Sequence, residues 1–441
     1  MNKIALGASA VALAAAGYAL AAGAGNNSTA AGQYVTLAAG GASGSASPAA
    51  VPTSAASSGQ VIAASAGQGI PDSYICVFRA GAVGPAAARG AAAEAARRGG
   101  GTLGHVYTTA LQGFSISLPA QAVQTLVERN PNIDWCEQDQ IATVIDPVKA
   151  DAKPGGGGST QPAQQLPPGI AGVGWGDYRS SGGTARAWVI DSGIDLTHPD
   201  LNVAPVGQTG GSWNFVSRES SPQDQNGHGT HVAGTIAGIN NGIGVVGVAA
   251  GAQVIAVRVL NRRGSGAYSD VIAGIDYVSQ YGRAGDVANM SLGGPVSTAL
   301  DTAVRNAADP LTYDNVTLRA RIPVKFALAA GNETDDTNNH SPGRVNGNNV
   351  YTIAAMNWNQ TSGTGVWASF SNYNTAIVDF IEPGVNIYST WMGGGYNTIS
   401  GTSMATPHMA GILLWGAPAT KAGSTVTRTG TSEVYTIGYK P

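Results

Sequence analysis

Residues 187–201 read AWVIDSGIDLTHPDL. The first four positions are apolar without interruption, as in a strand covered on both faces, and the run stops on an acid, Asp191, followed at once by Ser192 and Gly193. Similar apolar runs recur at 254–260, 287–292, 324–330 and 350–355, and stretches of helical period lie between them at 230–237, Tyr268–Tyr281 and 297–308. Alternation of this kind predicts an α/β domain over residues 167–441, with a mainly parallel sheet covered by helices. In such a sheet, chemistry collects at the carboxyl ends of the strands, which is where Asp191 stands.

Upstream the pattern differs. Residues 73–79 (SYICVFR) alternate like a strand, 85–98 are Ala-rich and helical, and 102–108 and 113–118 read as two more strands. Ala120–Arg129 sets Val123, Leu126 and Val127 on one helical face, and 133–137 is a last short strand. The order βαββαβ predicts a small α+β domain over residues 71–146. Residues 25–70 and 147–166, rich in Ala, Gly, Ser, Pro and Gln, carry too few large side chains to offset their ordering entropy and read as linkers. Residues 1–24 read as an export signal: Lys3 precedes an Ala-, Gly-, Leu- and Val-rich run ending in small residues that suit cleavage. The expected location is therefore secreted or periplasmic.

Composition narrows the function. Of 441 residues, 43% are hydrophobic and 11% charged, which excludes a solvated disordered chain, and a net charge of −3 gives no basic footprint for nucleic acid. No long run of Leu, Ile and Val supports a membrane bundle, so no membrane partner is expected once the signal is gone.

Three segments place polar residues where packing does not call for them. Asp191 ends its strand. NGHGTHVAGTIAG sets His228 between Gly227 and Gly229 at a helix entrance, and the glycines let other groups approach the ring. GTSMATPHMAG puts Ser403 at a helix start, with Pro407 expected in or near the first turn, where a missing N–H costs nothing. Singly these are a surface charge, a packed histidine and a helix cap. Together they are the parts of an activated nucleophile: a hydroxyl, an imidazole to take its proton, and a carboxylate to orient the imidazole. Asn332, after Gly331 at another strand end, adds an amide able to donate to an oxyanion.

These segments resemble the Asp, His, Asn and Ser motifs of the subtilisin-like serine proteases, with the text nearest the proteinase K branch. The resemblance runs over about residues 167–415 and implies an Asp191–His228–Ser403 triad with Asn332 as oxyanion donor. It implies a broadly specific endopeptidase acting through an acyl-enzyme, with no cofactor needed for catalysis. Gly264, Ser265 and Gly266 resemble one substrate-pairing edge of the family, and Ser291, Leu292 and Gly293 the opposite edge. The small, uncharged segments 291–294 and 329–331 would line the primary pocket, so apolar or aromatic residues are expected before the scissile bond. Residues 71–146 resemble the family's inhibitory pro-domain, which implies a precursor that cuts itself. The partners implied are polypeptide substrates and this intramolecular inhibitor, acting on a monomer. In the ferredoxin-like sheet of such a pro-domain the first and last strands are antiparallel neighbours, which implies a Cys76–Cys136 bridge.

Rival enzymes fit poorly. His228 and His231 lack the Glu of H-E-x-x-H, so zinc hydrolysis is not indicated. An α/β-hydrolase needs G-x-S-x-G and the order Ser, acid, His, whereas here the order is Asp, His, Ser. A catalytically inactive relative would lack one of the set, and all are present. Three departures from the family stand out: Asn357 where close relatives carry a calcium-binding Asp, an insertion at 309–321, and only 26 residues after Trp415. A structural calcium is therefore not assignable from the sequence, and no metal ligand is assigned.

Overall fold

The computed structural model describes residues 59–144, 161–217, 219–309 and 322–441. The signal, most of both linkers and all of the insertion at 309–321 except Asp309 lie outside the described residues. At the centre of the molecule five parallel strands lie in the order Val350–Asn359, Lys325–Ala329, Val287–Met290, Ala187–Asp191, Gln253–Arg258. Ala187–Asp191 is flanked on both sides, which is why its sequence is unbroken in apolarity. Its side chains alternate between two cores. Trp188 and Ile190 join the core that contains the helices Tyr268–Tyr281 and Thr298–Ala308. Ala187 and Val189 join the core that contains His228–Ala237 and Thr402–Trp415. The helix Thr298–Ala308 starts where Ser297 accepts a hydrogen bond from Leu300 N through its side chain. Beyond Trp415, the chain forms a hairpin, Thr425–Thr427 with Val434–Thr436, and buries Val426, Tyr435, Ile437 and Tyr439 in a separate cluster.

The N-terminal unit is an antiparallel sheet in the order Ile133–Val144, Gly69–Phe78, Gly113–Ser117, Thr102–Tyr107, with helices Pro85–Gly99 and Ala120–Arg129 packed in its core. Cys76 lies opposite Cys136 in the ladder and is bonded to it, S–S 1.98 Å. Three expectations need correction. Residues 59–70 are not linker: Gln60–Ile62 pairs in parallel with Trp135–Glu137, and Gly69 already opens a strand, because an unpaired strand edge recruits backbone whatever its side chains. Residues 161–166 likewise are tied down, Gln165 N donating to Gly244 O at 2.8 Å. The last strand does not end at 137 but runs to Val144, because its final residues pair outside their own unit, with Ser265–Ala267 and Leu292–Pro295.

Candidate active site

Asp191, at the carboxyl end of its strand, is fully buried, and its Oδ1 and Oδ2 lie 2.9 and 3.0 Å from Nδ1 of His228. His228 is the first residue of the helix His228–Ala237 and is 1% exposed. The neighbouring glycines allow this approach. A Cβ on Gly229 would stand 2.1 Å from Gly193 O, and one on Gly227, whose φ is +104°, would stand 2.2 Å from the Trp391 ring. The other ring nitrogen of His228, Nε2, has no hydrogen-bond partner. His231 turns elsewhere: its Nε2 donates to Ile387 O at 2.9 Å, and burial holds its pKa down at about 3. His408 is also neutral, burial lowering it to about 4, with Nδ1 donating to Met404 O.

Ser403 is the second residue of the helix Thr402–Trp415 and is buried. Pro407 is not in the first turn, as expected, but inside this helix at its sixth position. A proline there has no N–H for the carbonyl four residues earlier, which is that of Ser403. That carbonyl is satisfied from outside the helix: Ser291 Oγ donates to it at 2.9 Å. In return Ser403 Oγ donates to Ser291 O at 3.2 Å, and Asn289 Nδ2 donates to Ser291 Oγ at 2.9 Å. The helix that carries Ser403 is thus stitched to the segment expected to hold substrate.

Asn332 lies on the other side of Gly401. Its Oδ1 accepts from Thr402 N and from Thr402 Oγ1, both at 2.9 Å, and Thr402 Oγ1 accepts from Gly331 N. With its oxygen fixed in this way, the amide's Nδ2 lies on the Gly401 side, 3.0 Å from where a Cβ on Gly401 would be. Thr402, which sets this orientation, was not singled out by sequence reasoning. Its only signal was its place beside Ser403.

The two expected substrate edges hold the chain's own strand. Thr143 is opposite Ser265 and Ala142 opposite Gly266 on one side, while Val144 is opposite Leu292 and Thr143 opposite Gly293 on the other, all antiparallel. Val144 N donates to Gly264 O at 2.7 Å. Behind this tail, carboxylates cross between the units. Glu137 Oε2 accepts from Ala299 N at 2.9 Å, and Asp139 accepts from Ser269 N and Oγ, each at the start of a helix where negative charge is favoured. Asp276 returns the contact, accepting from the backbone N–H groups of Thr108, Thr109 and Ala110. Burial raises the pKa of all three acids, that of Glu137 to about 7.

Among the described residues no group of three or more His, Cys, Asp or Glu is placed to hold a metal ion. Asn357 is exposed and pairs with Val366. Asp200 is among the buried acids with a spare oxygen: its Oδ1 has no hydrogen-bond partner. The loop 239–245 folds around it, with Val245 N on Oδ2 at 2.9 Å and Ile239 N on the Asp200 carbonyl at 3.0 Å. Gln164 Oε1 in turn accepts from Asn241 N and Gly242 N of that loop. One carboxylate among amide and carbonyl oxygens is the donor chemistry of calcium rather than of zinc.

Comparison with known proteins shows the family. The Peptidase_S8 model, described as the Subtilase family, matches residues 188–417. Subtilisin-like serine protease AsES of Sarocladium strictum is 37% identical over 70% of this chain and 72% of its own length. Extracellular serine proteinase of Thermus sp. (strain Rt41A) is 38% identical over 73% and 71%. Proteinase R of Parengyodontium album is 34% identical over 79% and 80%. The chain belongs to the subtilase family and is a serine endopeptidase.

Proposed function

We propose that Asp191, His228 and Ser403 form the catalytic triad, that Asn332 donates to the oxyanion, and that the chain is a self-processing precursor whose N-terminal unit inhibits it. The observation that carries this reading is the tail 141–144, seated as a third strand between the two edges with Val144 opposite Leu292, the neighbour of the Ser291 that bonds Ser403. A peptide substrate would lie in the same place, held through its backbone by Gly264, Ser265 and Gly266 on one side and Ser291, Leu292 and Gly293 on the other. Ser403 Oγ turns from the Ser291 carbonyl to His228 Nε2, gives up its proton there and attacks the scissile carbonyl carbon. The imidazolium is stabilised by Asp191, and the oxyanion accepts from Asn332 Nδ2 and the Ser403 N–H. The tetrahedral intermediate collapses as His228 returns the proton to the leaving amine. Water then repeats the sequence on the acyl-enzyme. No cofactor takes part; a structural calcium would be held by Asp200 with the side-chain oxygens of Asn241 and Gln164. The small, uncharged walls at 291–294 and 329–331 favour an apolar or aromatic residue before the cut. Location outside the cytoplasm and action as a monomer complete the reading.

The register also supports a reading of where the maturation bond lies. Val144 faces Leu292, and Ser291, which bonds Ser403, is the next residue along that edge. Cleavage is therefore expected just beyond the paired tail, after Ile145. Edman sequencing of the mature protein should begin at Asp146, and a start beyond 166 would overturn this placement. Ser403→Ala should leave the precursor uncut and unlabelled by a fluorophosphonate, and processing at the normal rate in that variant would overturn the triad.

A further inference from the structure

The helix that begins with His228 has an unusual start. Its N-cap, Gly227, has no side chain to satisfy the first N–H groups, which every helix leaves unpaired. They are taken instead by residues from elsewhere. Asp224, 3% exposed, accepts on Oδ1 from Asn226 N and Gly227 N, both at 2.9 Å, and on Oδ2 from Thr230 N at 3.0 Å and Thr230 Oγ1 at 2.5 Å. A fifth donor is Ser192 Oγ, 3.0 Å from Asp224 Oδ1. Ser192 Oγ also accepts from Gly229 N at 3.0 Å. Ser192 is the residue after Asp191, and its own N–H donates to Asp191 Oδ1 at 2.6 Å. A single hydroxyl therefore joins the end of the strand that carries the acid to the start of the helix that carries the base. Thr230 Oγ1 adds a second tie by accepting from Asp195 N at 2.9 Å.

We infer that Ser192 and Asp224 are positioning residues for the catalytic base, a clasp that fixes His228 against Asp191. The inference rests on the triad reading above. Nothing about cap satisfaction alone requires the clasp to bridge these two elements: a local side chain can cap this helix, as Asn226 Oδ1 does by accepting from His228 N at 3.3 Å. What the bridge adds is a fixed relation between Asp191 and the His228 ring. Both carboxylate oxygens lie within 3.0 Å of Nδ1, so the ring is oriented within a narrow range and Nε2 is aimed. A buried hydroxyl bonded on both sides leaves little slack, and small misplacement of a reacting group lowers rate far more than affinity.

The consequence is measurable without relying on substrate binding, because the precursor cuts its own tethered tail. Ser192→Ala should slow first-order processing of the precursor, and lower kcat on a peptide substrate, by about 10- to 100-fold while KM changes by less than about threefold. Ser192→Thr, which retains the hydroxyl, should recover most of the loss. Asp224→Asn should resemble Ser192→Ala, and the double variant should be no slower than the slower single one, because the two act as one unit. Unchanged kcat and processing in Ser192→Ala, a loss confined to KM, or multiplicative losses in the double variant would each overturn the clasp. Should Asp224→Asn fail to fold, the Ser192→Ala and Ser192→Thr pair still decides. Ser403→Ala, run alongside, separates the two readings: an inactive Ser403→Ala with a fully active Ser192→Ala rejects the clasp and keeps the triad.

Discussion

At Asn332 one end of an amide is held so that the other can work. Thr402 bonds the Oδ1 end twice, which leaves donation as the function of Nδ2. Asn332→Ala should lower kcat by roughly 10²–10³ with little change in KM, since the bond strengthens as charge develops on the oxyanion. Steady-state kinetics with one peptide substrate checks both parameters. Asp200 supports a second residue-scale prediction. Chelation should lower Tm in wild type and have no effect in Asp200→Asn. The effect should also weaken in acid, where protons compete with the cation for the carboxylate. A Tm indifferent to chelator at pH 8 would remove calcium from Asp200. Asp191, His228, Asn332 and Ser403 were legible in the sequence because each is polar at the end of an apolar strand or the start of a helix. Thr402, Ser192 and Asp224 were not, because they act on backbone groups brought near only by folding.

The helix Thr402–Trp415 shows how an element can be imperfect to a purpose. A proline in a helix interior costs about 3 kcal/mol, and a place in or near the first turn, as expected for Pro407 from the sequence, would avoid that cost. In the structure the cost is accepted and the Ser403 carbonyl is turned over to Ser291. Pro407→Ala would supply an N–H to that carbonyl in competition with Ser291 Oγ. The expected outcome is a higher Tm together with a lower kcat/KM, read by thermal unfolding and peptide hydrolysis on the same preparation. A gain in both would mean that the Ser291 contact has no bearing on the nucleophile. The strand Ile133–Val144 failed to show its length for a related reason. Glu137, Asp139 and Gln140 interrupt the apolar pattern of a strand, yet all are buried: the two acids meet helix starts across the interface rather than solvent, and Gln140 Nε2 donates to Val296 O at 3.1 Å. Alternation reports burial against apolar neighbours and is silent about burial against backbone N–H groups.

For the whole molecule, the two units share an interface whose acids are unusual in being charged only at a cost. Glu137 carries the clearest signal: burial lifts it from an ordinary 4.5 to about 7, against the Ser297 and Ala299 hydrogen bonds that pull it down. Asp139 and Asp276 are raised by burial in the same sense. The docked state therefore holds a proton that the separated state gives up. Its contribution to docking is fully present below about pH 4.5 and is lost as pH rises through about 7. The cleaved N-terminal unit should accordingly stay bound to the enzyme in mildly acidic solution and leave as the solution becomes neutral. Size-exclusion chromatography of freshly processed material at pH 5.5 and pH 8 measures retention directly. Glu137→Gln, neutral at both values and still able to accept from Ala299 N, should be retained more equally at the two. If that variant separates with the same pH dependence as wild type, Glu137 is not the group that couples protons to release, and Asp139 and Asp276 become the acids to replace.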